Sequence, residues 1–207
     1  MKSKKLLFKK GKTGFMAIKI DLEKAYDRLE WHFIRDVLEL YRLPPSLIKL
    51  IMSCVSSSLI AVLLNGGKLE PFHPSRGIRQ GDPLSPYLFI MCMEVLGFLI
   101  SQRCEENLWD LVRVSRGGQA FSHLFFADDL VLFAKADLRN CNSVRETLDS
   151  FCELSGQKVS LEKSKVYFSP NTSLESREEI CGVLGIHSTP NLGKYLGFPI
   201  KHPGSSS

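Results

Sequence analysis

At 207 residues, with 44% hydrophobic and 24% charged side chains, the chain is the size of one domain and has the apolar content to bury a real core. A net charge of +5 and a pI near 8.9 suit a polyanionic partner without requiring one. The six cysteines (Cys54, Cys92, Cys104, Cys141, Cys152, Cys181) form no CxxC pair and no cysteine-histidine cluster, which argues against a zinc site and a disulfide framework and points to a reducing intracellular compartment. No apolar run reaches the roughly 18 residues of a membrane span, and no signal-peptide stretch opens the chain, so neither a membrane partner nor secretion is expected.

In chain order, residues 1–12 form a basic arm with six lysines (Lys2, Lys4, Lys5, Lys9, Lys10, Lys12). Phe15 to Ile20 reads as a strand apolar on both faces, the mark of a central strand, and it delivers Asp21 to its C-terminal end. From Ala25, apolar residues recur at helical spacing through Trp31, Ile34, Val37, Leu38 and Tyr41 until Pro44 and Pro45. A second helix runs through Leu47, Ile48, Ile51, Met52 and Val55. Leu59 to Leu64, Asn65-Gly66 and Lys68 to Phe72 form a hairpin signal, because Asn-Gly supplies the positive φ angles of a tight turn. After a loop over 74–83, Ser85 as N-cap and Pro86 at the first helical position open a long apolar helix through Met91, Val95 and Leu99. Phe121 to Ala127 and Leu130 to Ala134 read as a second hairpin joined at Asp128-Asp129. Leu138 to Leu154 is helical, Val166 to Phe168 a short strand, Glu175 to Leu184 a helix, and Tyr195 to Ile200 extended.

The acidic hairpin tip carries the chemistry. Aspartates suit turns, but flanking strands this apolar imply a tip near a core, where unpaired anions cost several kcal/mol unless a cation compensates them. If the strand ending at Asp21 is a neighbour in the same sheet, Asp21, Asp128 and Asp129 form a set of oxygen ligands suited to magnesium. Two such ions would clamp the attacking and leaving oxygens of a phosphoryl displacement. Paired carboxylates could also do acid-base work on a sugar.

The stretch Met16-Ala-Ile-Lys-Ile-Asp-Leu-Glu-Lys-Ala-Tyr-Asp-Arg-Leu-Glu-Trp31 resembles the first palm motif of the reverse transcriptases, and within them of the LINE-like non-LTR retrotransposons of plants. The resemblance implies metal binding by Asp21 and an aromatic steric gate at Tyr26, whose ring would exclude a 2′-hydroxyl. Arg76-Gly-Ile-Arg-Gln-Gly-Asp-Pro-Leu-Ser-Pro86 resembles the second motif, which implies that Arg79, Gln80 and Gly81 line the nucleotide and template site. Gly77 and Gly81 would let backbone approach the ligand closely. Phe126-Ala-Asp-Asp129 resembles the third, in which the family assigns metal binding mainly to the first aspartate, here Asp128. Leu154-Ser-Gly-Gln-Lys-Val-Ser-Leu-Glu-Lys-Ser-Lys165 resembles the fourth, where Lys163 would protonate the departing pyrophosphate. Tyr195-Leu-Gly-Phe-Pro199 resembles the element leading into the primer grip.

Five motifs in family order imply an α+β palm, a small mainly antiparallel sheet backed by helices, over residues 13–200, with fingers and thumb incomplete, a basic arm at 1–12 and a tail at 201–207. The implied activity is RNA-directed DNA polymerisation on an RNA template and DNA primer, with dNTP as substrate and two Mg2+ ions, or Mn2+, as cofactor. Asp21, Asp128, Asp129 and Lys163 would be the catalytic set. The chain looks like the middle of a longer polyprotein. A catalytically inactive retroelement remnant that folds or binds nucleic acid is the alternative, and a carboxylate-based hydrolase a third.

Overall fold

The computed structural model describes residues 14–113, 118–195 and 198–199. The expected arm at 1–12 and tail at 201–207 lie outside them, as does Ile200. Sixteen elements follow in order: β1 (Phe15–Ile20), α1 (Ala25–Arg28), α2 (Trp31–Leu40), α3 (Pro45–Ser56), β2 (Leu63–Leu64), β3 (Gly67–Lys68), α4 (Ser85–Glu105), β4 (Val112–Arg113), β5 (Ala120–Phe121), β6 (His123–Phe126), β7 (Asp129–Lys135), α5 (Leu138–Ser155), β8 (Lys165–Phe168), α6 (Leu174–Leu184), β9 (Lys194–Tyr195) and β10 (Phe198–Pro199). The chain divides into two units, one of residues up to Leu22 with Leu96–Ser150 and Val159 onward, the other Glu23–Val95 with Phe151–Lys158.

The first unit is built on a four-stranded antiparallel sheet in the order β6-β7-β1-β8. The central strand expected over Phe15 to Ile20 is β1. Its Met16, Ile18 and Ile20 are buried on one face, and on the other Ala17 joins Val131, Phe133, Val112 and Leu192 in a second apolar cluster. A strand covered on both sides needs apolar residues on both faces, which is why alternation is weak here. Trp109, 1% exposed, donates its indole N–H to the Phe133 carbonyl (2.8 Å), fixing the segment after α4 to β7. The six cysteines are all free.

In the second unit α2 buries Phe33, Ile34, Val37 and Leu38, and α3 buries Ile48 and Met52, at the spacing the periodicity indicates. The single helix expected from Ala25 to Tyr41 is two. The Leu29 carbonyl accepts the Gly77 N–H (2.7 Å) and the Glu30 N–H donates to the Ser155 carbonyl (3.0 Å), so tertiary hydrogen bonds break the ladder where no glycine or proline marks it. The β2-β3 hairpin turns on Asn65 (φ 50) and Gly66 (φ 81) as expected.

Four further expectations shift. Helix α4 begins at Ser85 itself, and the preceding turn is closed by Asp82, whose carboxylate accepts the Leu84 N–H (2.9 Å). The chain end forms two short paired strands, β9 and β10, rather than one extended piece. The acidic hairpin turns on Ala127-Asp128 because Phe126 pairs with Asp129, which places Asp129 inside β7. Although Glu94 interrupts its apolar run, α4 has the length and composition to cross a membrane; Leu88, Phe89, Cys92, Met93, Leu96 and Ile100 are buried along it, while Tyr87, Ile90 and Phe98 are exposed.

Candidate active site

The β1-β7 register runs from Phe15 opposite Lys135 to Ile20 opposite Leu130. One further step along both chains brings position 21 to position 129, so antiparallel pairing carries the two acidic segments to one end of the sheet. The Asp21 backbone is held from the other side as well. Its N–H donates to Ser164 Oγ (3.1 Å) and its carbonyl accepts the Ser160 N–H (2.8 Å), while Leu22 bridges Val159. The 160–164 loop that makes these bonds also carries Lys163, whose Nζ lies 4.0 Å from Asp21 Oδ1. Asp21, Asp128, Asp129 and Lys163 thus gather in the first unit.

The tip is wetter than its flanking strands suggest. Asp128 is exposed and the side chains of Asp21 and Asp129 are 42% and 45% accessible, because Leu124 and Phe126 on β6 also face solvent. Water therefore supplies part of the compensation expected from a cation, and lysines supply more: Lys19 Nζ stands 3.5 Å from Asp129 Oδ1. The tip is also strained, with Ala127 at φ 50, a left-handed conformation that costs a non-glycine residue about 1–2 kcal/mol and tends to mark functional sites.

The other expected residues lie in the second unit. The Tyr26 ring stacks on Phe89 (centroids 4.7 Å apart, planes 10°). The Tyr26 carbonyl accepts the Ile78 N–H (3.0 Å), and the Trp31 indole donates to the Gly77 carbonyl (2.8 Å), so the 76–81 loop is laced to the turn after α1. Gly77 and Gly81 share φ +86, yet a Cβ on Gly77 would sit 2.8 Å from the Asp27 carbonyl oxygen, whereas Gly81 has nothing within 4 Å. The close approach at Gly77 is thus to the chain's own backbone, and only Gly81 leaves room for a ligand. Arg79 and Gln80 are exposed and line a cleft of about 490 Å³ with Asp27, Ser58 and Arg76.

Lys19 and Phe89 were not anticipated as site residues. Lys19 is the one charge inside an otherwise apolar strand, two residues before Asp21 and hence on its face; that was the available signal.

Residues 2–200 match the family model described as reverse transcriptase (RNA-dependent DNA polymerase). The chain belongs to the reverse transcriptase family. The motif resemblance is thereby borne out, and the relatives of this reverse transcriptase domain include retrotransposon proteins. It is 31% identical over 144 residues to a retrovirus-related Pol polyprotein from a type-2 retrotransposable element of Drosophila melanogaster, covering 70% of this chain and 13% of that protein. It is 36% identical over 116 residues to the corresponding type-1 polyprotein of Nasonia vitripennis, covering 56% of this chain and 10% of the relative. An uncharacterized mitochondrial protein of Arabidopsis thaliana is 49% identical over 67 residues, 32% of this chain and 55% of its own length. The chain thus spans about half of one relative and a small part of the others. Among solved structures, a Candida albicans telomerase superposes with a TM-score of 0.55 at 18% identity, over 73% of this reverse transcriptase domain and 26% of the telomerase. That likeness establishes the α+β palm fold that the reverse transcriptase motifs imply.

As a family, reverse transcriptases transfer nucleotides with a divalent metal ion. Among the described residues of this reverse transcriptase domain, no set of three or more His, Cys, Asp or Glu side chains converges as ligands. Asp21 and Asp129 each face a lysine instead. The donor chemistry nevertheless fits: every acidic side chain at this end of the sheet offers hard carboxylate oxygens, and magnesium is commonly held by one or two carboxylates, with phosphates and water completing its shell.

Proposed function

We propose that this chain encodes the nucleotidyl-transfer step of an RNA-directed DNA polymerase, in which a primer 3′-hydroxyl attacks the α-phosphate of a dNTP opposite an RNA template. Asp21 and Asp128 would hold two magnesium ions, or manganese, with Asp129 in support. Bound there, the metals supply charge neutralisation at the attacking and leaving oxygens. Lys163, 72% accessible and 4.0 Å from Asp21, delivers the proton the departing pyrophosphate needs. Tyr26, braced by Phe89, sets the floor beneath the incoming sugar and rejects a 2′-hydroxyl. Arg79, Gln80 and the open backbone at Gly81 offer donors to nucleotide and template. The free cysteines suit work in a reducing compartment, nucleus or cytoplasm.

The observation that carries this reading is the β1-β7 register, which ends both strands in aspartate at the same edge, with Lys163 alongside. Primer extension on an RNA template tests it. Asp128→Asn should lower the rate by about 10²–10³-fold, the scale of losing one group that stabilises developing charge, and an unchanged rate overturns the assignment. A parent chain that binds template-primer yet adds no nucleotide identifies the inactive remnant instead, since positioning carries much of the rate in phosphoryl transfer.

A further inference from the structure

The two adjacent aspartates of the hairpin have different surroundings. Asp128 occupies the turn, exposed, and among the described residues no ion pair is found for it. Asp129 is the first residue of β7, and its side chain shares a face with Val131. Val131 stands directly across from Lys19. Lys19 is therefore the diagonal neighbour of Asp129, a separation of about 7–8 Å between backbones that a long side chain can span, and its Nζ reaches to 3.5 Å from Asp129 Oδ1. The other cation on this row, Lys165, is across from Lys19 on β8, but its Nζ donates to the Glu162 carbonyl (2.7 Å). Asp21 meets Lys163, whose loop backbone also fixes it. Each carboxylate on a strand or strand end thus faces its own lysine, and the one on the turn does not.

We propose that Lys19 is a positioning residue that holds the Asp129 carboxylate against β1, so that of the adjacent pair only Asp128 is free to meet a divalent cation. The inference rests on the polymerase reading for its purpose and on the sheet register for its geometry. It gives a physical cause to a division of labour that the motif alone leaves unexplained, since two neighbouring aspartates of equal chemistry would otherwise compete for one ion and leave its placement ambiguous. The pair is about half exposed, so its hold is worth a small factor: releasing Asp129 changes the apparent affinity for a divalent ion by about three- to fivefold.

The probe is Mn2+ alone, titrated into the 207-residue chain and followed by the electron paramagnetic resonance of the free ion. Lys19→Met should tighten binding about three- to fivefold, because Asp129 becomes available as an additional ligand. In an Asp129→Asn background the same substitution should change binding by less than about 1.5-fold, and Lys19→Arg should match the parent. Tightening that persists in the Asp129→Asn background would mean that Lys19 acts only through its general field, and no tightening in the parent would mean that it holds nothing; either overturns the proposal. Asp128→Asn is the separate control: undiminished Mn2+ binding there sinks the polymerase reading, while the Lys19–Asp129 cycle still reports on the positioning. If the parent takes up no Mn2+, the parent, Lys19→Met, Asp129→Asn and the double variant are compared by Tm at low salt, where a non-additive cycle supports the pair and additive shifts overturn it.

Discussion

Replacing Gly77 with alanine, beside the same change at Gly81, separates two costs usually confounded. Both residues sit at φ +86, so both substitutions carry the penalty of placing a side chain in left-handed backbone, about 1–2 kcal/mol. At Gly81 nothing else opposes the new methyl. At Gly77 it would lie 2.8 Å from the Asp27 carbonyl oxygen and 3.0 Å from Asp27 Cα, and both obstacles are backbone. The loop must then move by about half an ångström. That motion loosens the Gly77–Leu29 (2.7 Å), Ile78–Tyr26 (3.0 Å) and Trp31–Gly77 (2.8 Å) hydrogen bonds. Adding about 1–3 kcal/mol for overpacking and weakened bonds gives about 2–5 kcal/mol for Gly77→Ala against about 1–2 for Gly81→Ala. Urea unfolding followed by Trp31 and Trp109 fluorescence measures both, with equal slopes required for a fair comparison. Losses equal to within about 0.5 kcal/mol would refute the close approach as the reason glycine stands at position 77.

Phe89→Leu keeps most of the buried volume at a residue of 0% exposure and should cost less than about 1.5 kcal/mol, yet it removes the ring on which Tyr26 stacks. On the proposed gate role, ribonucleotide incorporation relative to deoxynucleotide should rise several-fold, and an unaltered ratio in a folded, active variant would count against bracing by Phe89. Asp110 carries a pH prediction. Partial burial pushes its carboxyl up, but hydrogen bonds from Asn140 and Lys135 and the charges of Lys135 and Arg139 outweigh burial and hold it below the usual carboxylate range. A lowered folded-state value means stability that is present above the ordinary aspartate range and lost as pH falls through the folded value. Asp110→Asn should therefore flatten the decline in Tm on the acid side, and an unchanged acid limb would show that this cluster contributes nothing to it.

Much of the fold was legible because the residues that encode it act locally or through period. Asn65-Gly66 specifies its turn by itself, and the helix read from Glu175 to Leu184 is α6. The apolar run of β1 announced a central strand. What escaped was set by tertiary hydrogen bonds. The break between α1 and α2 falls at Leu29, a residue with no helix-stopping property, because Gly77 and Ser155 take up the backbone groups there. The hairpin was displaced by one residue since Ala127 gives no hint of a left-handed turn, while two aspartates in sequence do. At the site, the placement of Asp21 beside the second acidic segment was legible as a motif pattern. Its lysine counter-ions depend on register and were not.

The position of β1 has a consequence for the chain's birth. It is made before the other strands of its sheet, and those partners arrive late: the Phe15 N–H waits for Ser169 Oγ, 154 residues downstream. At about 5–20 residues per second, the ribosome leaves this strand without its full set of neighbours for roughly 8–30 s, long against the microseconds in which a hairpin closes. An element that needs distant parts of the message before it can settle makes the acidic edge among the last features to assemble. A chain whose synthesis stops soon after α5, before residue 160, therefore carries both aspartate motifs without the loop that pins Asp21 in place.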